Sequence, residues 1–275
     1  MRHRLALRRA VLVTLLVAAS AAAAWKFGQV RLLYPRLAYL TGWILLGLML
    51  LLTLYNSRKK LPFLPLLSSR LWLQAHAYVG LFTAVVFLLH LNGRAPSGWF
   101  EGVLAWLFVS VTASGIFGWW ISRVLPKRMT TAGGEVLFER IPIVRRDLRL
   151  QAEALALKAI PEARATTLAD FYTREVSAFF AEPQGFWSSL AGSRRRLTAL
   201  LGSLAETKRY LTAAEISSAD RLAELIRQKD AVDFQRSAQL VLKGWLFVHI
   251  PLTYGLLIFS LVHVMLVHAF AGGAR

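Results

Sequence analysis

Five stretches of this chain run long and almost free of charge: Ala10 to Trp25, Leu37 to Tyr55, Leu71 to Leu91, Gly102 to Ser122 and Gly244 to Ala274. About 20 apolar residues in helical form cross the hydrocarbon layer of a bilayer, and all but the first stretch meet that length. In hydrocarbon every backbone N–H and C=O must be satisfied within its own segment, so such runs fold as helices. The sequence therefore predicts an all-α membrane protein, a helical bundle of four or five transmembrane spans. The first stretch decides between the two numbers. Met1 to Arg9 carries four Arg and Ser20 to Ala24 is a run of small residues, a pattern that also suits a secretory signal peptide. We expect an uncleaved helix.

Lys and Arg in the short connections orient such a bundle. Arg2, Arg4, Arg8 and Arg9 hold the N-terminus inside, and Arg58, Lys59, Lys60 and Arg70 mark a second inside connection. The outer connections carry only Lys26, Arg31, Arg36 and Arg94, and the tail adds Arg275. The segment from Arg123 to Lys243 then falls inside, and it holds 14 of the 15 acidic residues together with 20 Lys and Arg. That is the composition of a water-exposed module. The expected organisation is spans in 1–122, a helical cytoplasmic insertion in 123–243 and a last span in 244–275, in a bacterial inner membrane with the C-terminus periplasmic.

The net charge of +18 invites a nucleic-acid reading, but a mean hydropathy of +0.48 argues against it and excludes disorder. No nucleic acid is expected as a partner. The chain has no Cys, which excludes disulfides, Cys-ligated iron–sulfur clusters, thiolate zinc sites and covalently attached c-type haem.

Ionisable residues inside a span are costly, and a functional role is the default hypothesis for them. His76 and His90 lie on the third span, and His249 and His263 on the fifth. Each pair is separated by 14 residues, which in a helix is about 21 Å of rise and a rotation about 40° short of whole turns. Each span thus presents two imidazoles on one face, one near each membrane surface. The third and fifth spans run in the same direction, so His76 is level with His249 and His90 with His263. Two imidazoles without Cys or carboxylate do not complete a zinc or copper site. They do suffice for the axial ligation of a haem, whose porphyrin supplies the other four nitrogens. Two b-type haems stacked across the bilayer are the expected cofactors. The bland alternative is that these histidines only make polar contacts between helices.

The two histidine spans begin alike. Arg70, Trp72, Leu73 and His76 recur as Lys243, Trp245, Leu246 and His249 at identical offsets. Arg70 and Lys243 can pair with propionates of the inner haem and Arg94 with the outer one, although basic residues at span ends often just snorkel to the headgroups. Trp72 and Trp245 suit interface anchors. Gly80 and Gly255 permit close approach of a porphyrin or of a neighbouring helix.

These four histidines resemble the pattern of the di-haem membrane domain of ferric reductases and NADPH oxidases, whose third and fifth helices each carry two His at this spacing. The cytochrome b of quinol-oxidising complexes is similar in using His pairs on parallel helices. The resemblance covers about Leu37 to Phe270 without the insertion, and it implies that His76, His90, His249 and His263 ligate haem and that electrons cross the membrane. The chain departs from the family in lacking its flavin and nicotinamide domain. Gly133-Gly134 has no strand–helix context for a phosphate-cradling loop. A quinone, or a redox partner such as a c-type cytochrome, a flavoprotein or an iron–sulfur protein, must then supply or receive the electrons.

Within the insertion the apolar positions fall at helix spacing. Leu148, Ala152, Leu155 and Ala159 form a stripe stopped by Pro161; Thr167 starts a helix carrying Phe171, Val176 and Phe179; Thr212 to Glu215 has the form of a capping box. Leu197, Leu200, Leu201, Leu204 and Leu211 make a further face. Glu135 to Ile141 is the one stretch with a strand-like pattern. Arg194-Arg195-Arg196 is either a solvated run or a docking patch, and Phe186-Trp187 either core or interface. His268 is rotated by about 140° from His263 and reads as a polar contact or part of a quinone or partner site. Glu101 is a plain loop carboxylate or a proton relay, and His3 belongs to the basic flank. The function expected is transmembrane electron transfer as a subunit of a larger oxidoreductase. A non-redox anchor or assembly subunit, and a stand-alone quinol-oxidising or ferric-reducing enzyme, are the alternatives.

Overall fold

The computed structural model describes residues 2–30, 37–57, 69–131, 136–163 and 167–271, and no strand occurs among them. Five helices are long and apolar enough to cross a membrane: α1 (Arg2–Val30), α2 (Leu37–Ser57), α3 (Ser69–Leu91), α4 (Trp99–Thr131) and α10 (Ala213–Ala271). The chain is a multi-pass helical membrane protein. It divides into two compact units, Met1–Trp120 with Trp245–Arg275, and Ile121–Gly244. The fourth and fifth spans are parts of longer helices than hydropathy marked, since α4 continues to Thr131 and α10 already begins at Ala213.

In the first unit large apolar side chains such as Leu88, Trp106 and Phe247 face outward. That is unremarkable where the surroundings are lipid tails. The inward face gathers Leu45, Leu46 and Met49 of α2, Val86 and Phe87 of α3, Phe108 of α4 and Leu256 of α10. The Phe87 and Phe108 rings stack 4.0 Å apart. Polar residues in these helices satisfy themselves locally: Thr53, Thr83 and Ser260 donate to the carbonyls four residues back, Met49, Val79 and Leu256. α3 packs on α1 and α2, whereas α3 and α10 do not pack backbone to backbone along their length. At the end of α3, Asn92 and Gly93 adopt positive φ and turn the chain, with the N–H of Arg94 donating to the Leu91 carbonyl.

The second unit contains α5 (Ile141–Ala163), α6 (Thr167–Phe171), α7 (Ser177–Ala181), α8 (Phe186–Leu190), α9 (Arg195–Thr207) and the start of α10. A single π-helical turn, Tyr172–Val176, joins α6 to α7. The expected stripes meet in one core: Leu148 and Ala152 of α5, Phe171, Val176 and Phe179, Leu200 and Leu204 of α9, and Leu222, Leu225 and Ile226 of α10. Two expectations need correction. Pro161 does not stop α5, which runs on to Ala163, because losing one hydrogen bond near a helix end leaves the preceding turns intact. Among its described residues, 136–141, the strand-like stretch is no strand: a 3₁₀ turn covers Phe138–Arg140 and α5 starts at Ile141. Leu137 is extended, and before it the Val136 N–H donates to Gln235 Oε1 at 2.8 Å while the Val136 carbonyl accepts from Gln239 Nε2 at 2.7 Å. Two glutamines one helical turn apart thus stand in for a partner strand. The capping box at α10 forms through its carboxylate arm, Glu215 Oε2 accepting from the Thr212 N–H at 3.0 Å.

Candidate functional site

The site is built on α3 and α10. His76 lies within electrostatic reach of His249, and His90 within reach of His263. This matched pairing requires the two helices to run in the same direction. Thr83 and Leu256, each midway between the two histidines of its own helix, are buried.

Each pair is held from behind by a neighbouring helix. On α2, Thr41 Oγ1 lies 3.1 Å from His90 Nδ1 and also 3.1 Å from the carbonyls of Leu37 and Ala38. The carbonyls only accept, so they take the hydroxyl proton, and Thr41 accepts from His90 Nδ1–H. This network assigns the tautomer that leaves a lone pair on His90 Nε2. The next residue, Gly42, makes room for the ring: a Cβ there would stand 3.1 Å from His90 Cε1. On α4 the arrangement is repeated. Ser114 Oγ lies 3.2 Å from His249 Nδ1, and a Cβ on Gly115 would be 3.7 Å from His249 Cε1. The Leu52 carbonyl of α2 faces His76. His263 stacks on Phe100 at 6.4 Å, and Phe100 in turn on Phe259 at 5.6 Å.

Trp245, expected as a headgroup anchor, is instead tied into the bundle. Its Nε1–H donates to the Ser114 carbonyl at 2.8 Å, and its ring stacks on His249 at 5.4 Å. A Cβ on Gly118 would overlap that ring. Ser114, Gly115 and Gly118 form a seat of small residues for Trp245 and His249, a signal readable in principle from small-xxx-small spacing. Thr41 and Gly42 carried no such signal.

The remaining expected site residues are spread out. The side chain of Arg70 lies outside the described residues. Lys243 has other partners than a propionate: its ammonium pairs with Glu139 Oε1 at 2.9 Å and sits 3.9 Å from the Phe138 ring centroid. That hydrogen bond holds the Glu139 carboxyl below its ordinary range. Arg94 is exposed just beyond α3. Gly80 and Gly255 border open space, with nothing within 4 Å of an added Cβ, so close helix packing does not account for them. Glu101 lies in the first turn of α4, accepting from the Ser97 N–H and Oγ, both at 3.1 Å, which is a capping role. Trp187 does not fill a core, being 77% exposed. Arg194 and Arg195 line a shallow surface groove with Thr198 and Glu206, while Arg196 lies over the Phe179 ring.

Among the described residues no three His, Cys, Asp or Glu cluster as they would around a bare metal ion. The donor sets are pairs of imidazoles, which suit a metal already held in a macrocycle. Two imidazoles within reach of each other, on helices that do not pack backbone to backbone, suit haem as a donor set at each level, and at one level Thr41 leaves the His90 Nε2 lone pair free. Compared with family models, with curated proteins and with solved structures, the chain finds no match.

Proposed function

We propose that this chain is a di-haem b-type membrane cytochrome, of the kind the ferric reductase and NADPH oxidase membrane domains represent. It carries electrons between a donor and an acceptor on opposite faces of the membrane as the membrane subunit of a larger oxidoreductase. His76 and His249 would hold one haem, and His90 and His263 the other. The observation that carries this reading is the pairing of imidazoles at two levels of parallel helices, with Nδ1 of His90 and of His249 each met by a hydroxyl. Metal-bound histidines characteristically spend their other nitrogen on such a partner, which fixes ring orientation and tautomer. Bound haem iron supplies a one-electron carrier. The chain's own residues orient the ligands, and the helix rise between the histidines of each span keeps the two levels apart. By the distribution of Lys and Arg, the N-terminus and the unit 121–244 are cytoplasmic and the C-terminus periplasmic, in a bacterial inner membrane. The exchange of electrons with other carriers falls to partner proteins or quinone.

A pyridine haemochrome assay on the purified chain tests the reading. The expected result is two haem b per chain, falling to one in His76→Ala or His249→Ala with the absorption of the other haem unchanged. A purified chain without haem b overturns it, and full pigment in both variants overturns the ligand assignment.

A further inference from the structure

His268 is tethered through Nδ1 like His90 and His249, but it stands elsewhere. Its Nδ1 lies 2.8 Å from the Val264 carbonyl. A carbonyl only accepts, so the proton between them belongs to Nδ1 and Nε2 carries a lone pair. Beside the ring, among the described residues, stand two aromatic side chains of α2 and not a second imidazole. Tyr39 lies 5.8 Å away at 90°, and Trp43 5.6 Å away at 71°. All three side chains are exposed on the bundle surface, Tyr39 by 37% and Trp43 by 53%.

The placement on α2 relates this cluster to the haem-ligand candidates. Tyr39 and Trp43, four residues apart, share one face of the helix, whereas Thr41 between them is turned by about 200° toward His90. One short segment of α2 therefore holds His90 on one side and flanks His268 on the other. The two sites are about one helix width apart, on the order of 10 Å.

A fixed acceptor between aromatic rings on an apolar surface selects a neutral planar ring that carries a hydroxyl and dissolves in lipid. We propose that His268, Tyr39 and Trp43 form a quinol-binding site, with a quinol hydroxyl donating to His268 Nε2 and the quinol ring lying against Tyr39 and Trp43. The inference rests on the di-haem reading and names the small-molecule donor that meets the His90–His263 level. It also distinguishes redox forms. A quinone oxygen only accepts and has nothing to offer an acceptor nitrogen, so the reduced form binds the more tightly.

The test is calorimetric titration of the detergent-solubilised full-length chain, under argon, with a short-chain benzoquinol and with the corresponding benzoquinone. One site per chain is expected, with the quinol tighter by about tenfold, the order of one hydrogen bond to an otherwise unmet acceptor. His268→Phe keeps the aromatic packing and removes the acceptor. It should lower quinol affinity about tenfold, abolish the preference over quinone and leave haem content unchanged. Trp43→Ala should weaken both forms. Equal affinity for quinol and quinone in the unaltered chain, or undiminished quinol binding in His268→Phe, overturns the site. Haem content measured on the same samples separates the two readings: haem present without quinol binding sinks this site alone, and quinol binding without haem sinks the cytochrome reading.

Discussion

Thr41 and Ser114 apply one device twice, a hydroxyl set against an imidazole Nδ1, and beside Thr41 the glycine at 42 also lets the His90 ring lie against the helix. If it serves haem ligation, its removal should loosen one haem at a time. Thr41→Val keeps the shape of the side chain but leaves His90 Nδ1–H unmet there. Losing such an outer partner typically costs about 10- to 100-fold in metal affinity. The expected outcome is loss of the His90–His263 haem on dilution, seen as a halved α-band, with Thr41→Ser restoring it. An undiminished α-band in Thr41→Val overturns the role. Ser114→Ala should act in the same way on the His76–His249 level. At Gly118 any side chain meets the Trp245 ring, so Gly118→Ala should destabilise the bundle by about 1–3 kcal/mol, as overpacking does. An unchanged unfolding midpoint in detergent would show that the Trp245 seat is misplaced. The histidines were legible in the sequence because a polar residue in an apolar run stands out and a 14-residue spacing fixes a face. Thr41 was not, because a threonine whose hydroxyl bonds back to its own helix is ordinary, and only the neighbouring helix gives it a second use.

Helices were legible as elements, but their ends were not. Hydropathy reports where apolar composition stops, whereas α4 and α10 continue through residues that are polar and still good helix formers. On the N-terminal part of α10 this continuation carries Lys229, fully buried, with Nζ donating to the Glu182 carbonyl at 2.8 Å and pairing with Asp233. Arg145 Nε and the Gln184 N–H also meet Asp233, at 3.2 and 3.0 Å. The segment before α8 is thereby fastened to α10 by polar side chains that no apolar stripe announces. Beside them, burial raises the Asp230 carboxyl above its ordinary 3.8, against the Gln184 amide that donates to it at 2.7 Å. A carboxyl raised on folding retains its proton where the unfolded chain has lost it. The resulting stabilisation is complete below 3.8 and disappears as pH rises through the folded value. Asp230→Asn keeps an acceptor for Gln184 and stays neutral throughout. It should unfold at a higher temperature than the unaltered chain at pH 7, with the gap closing on acidification. A gap independent of pH would place the effect elsewhere.

At the scale of the molecule, one chain joins a unit whose surface is apolar to one that buries its own core, and α4 and α10 each contribute to both. The division was legible because nearly all the acidic residues are confined to one segment, and carboxylates are expensive in hydrocarbon. Which face of the membrane each unit meets is a matter of charge. Eight basic residues flank one side of the early spans and four the other, and the orientation proposed from them has Arg94 outside and the unit 121–244 inside. The absence of cysteine makes this directly measurable, since any thiol introduced is the only one. Arg94 is exposed beyond α3, and Tyr210 is 79% exposed in the other unit, so both tolerate substitution and admit a label. In spheroplasts treated with a membrane-impermeant maleimide, Arg94→Cys should label at once and Tyr210→Cys only after permeabilisation. Labelling of Tyr210→Cys in intact spheroplasts would invert the topology and place the His76–His249 level on the outer side.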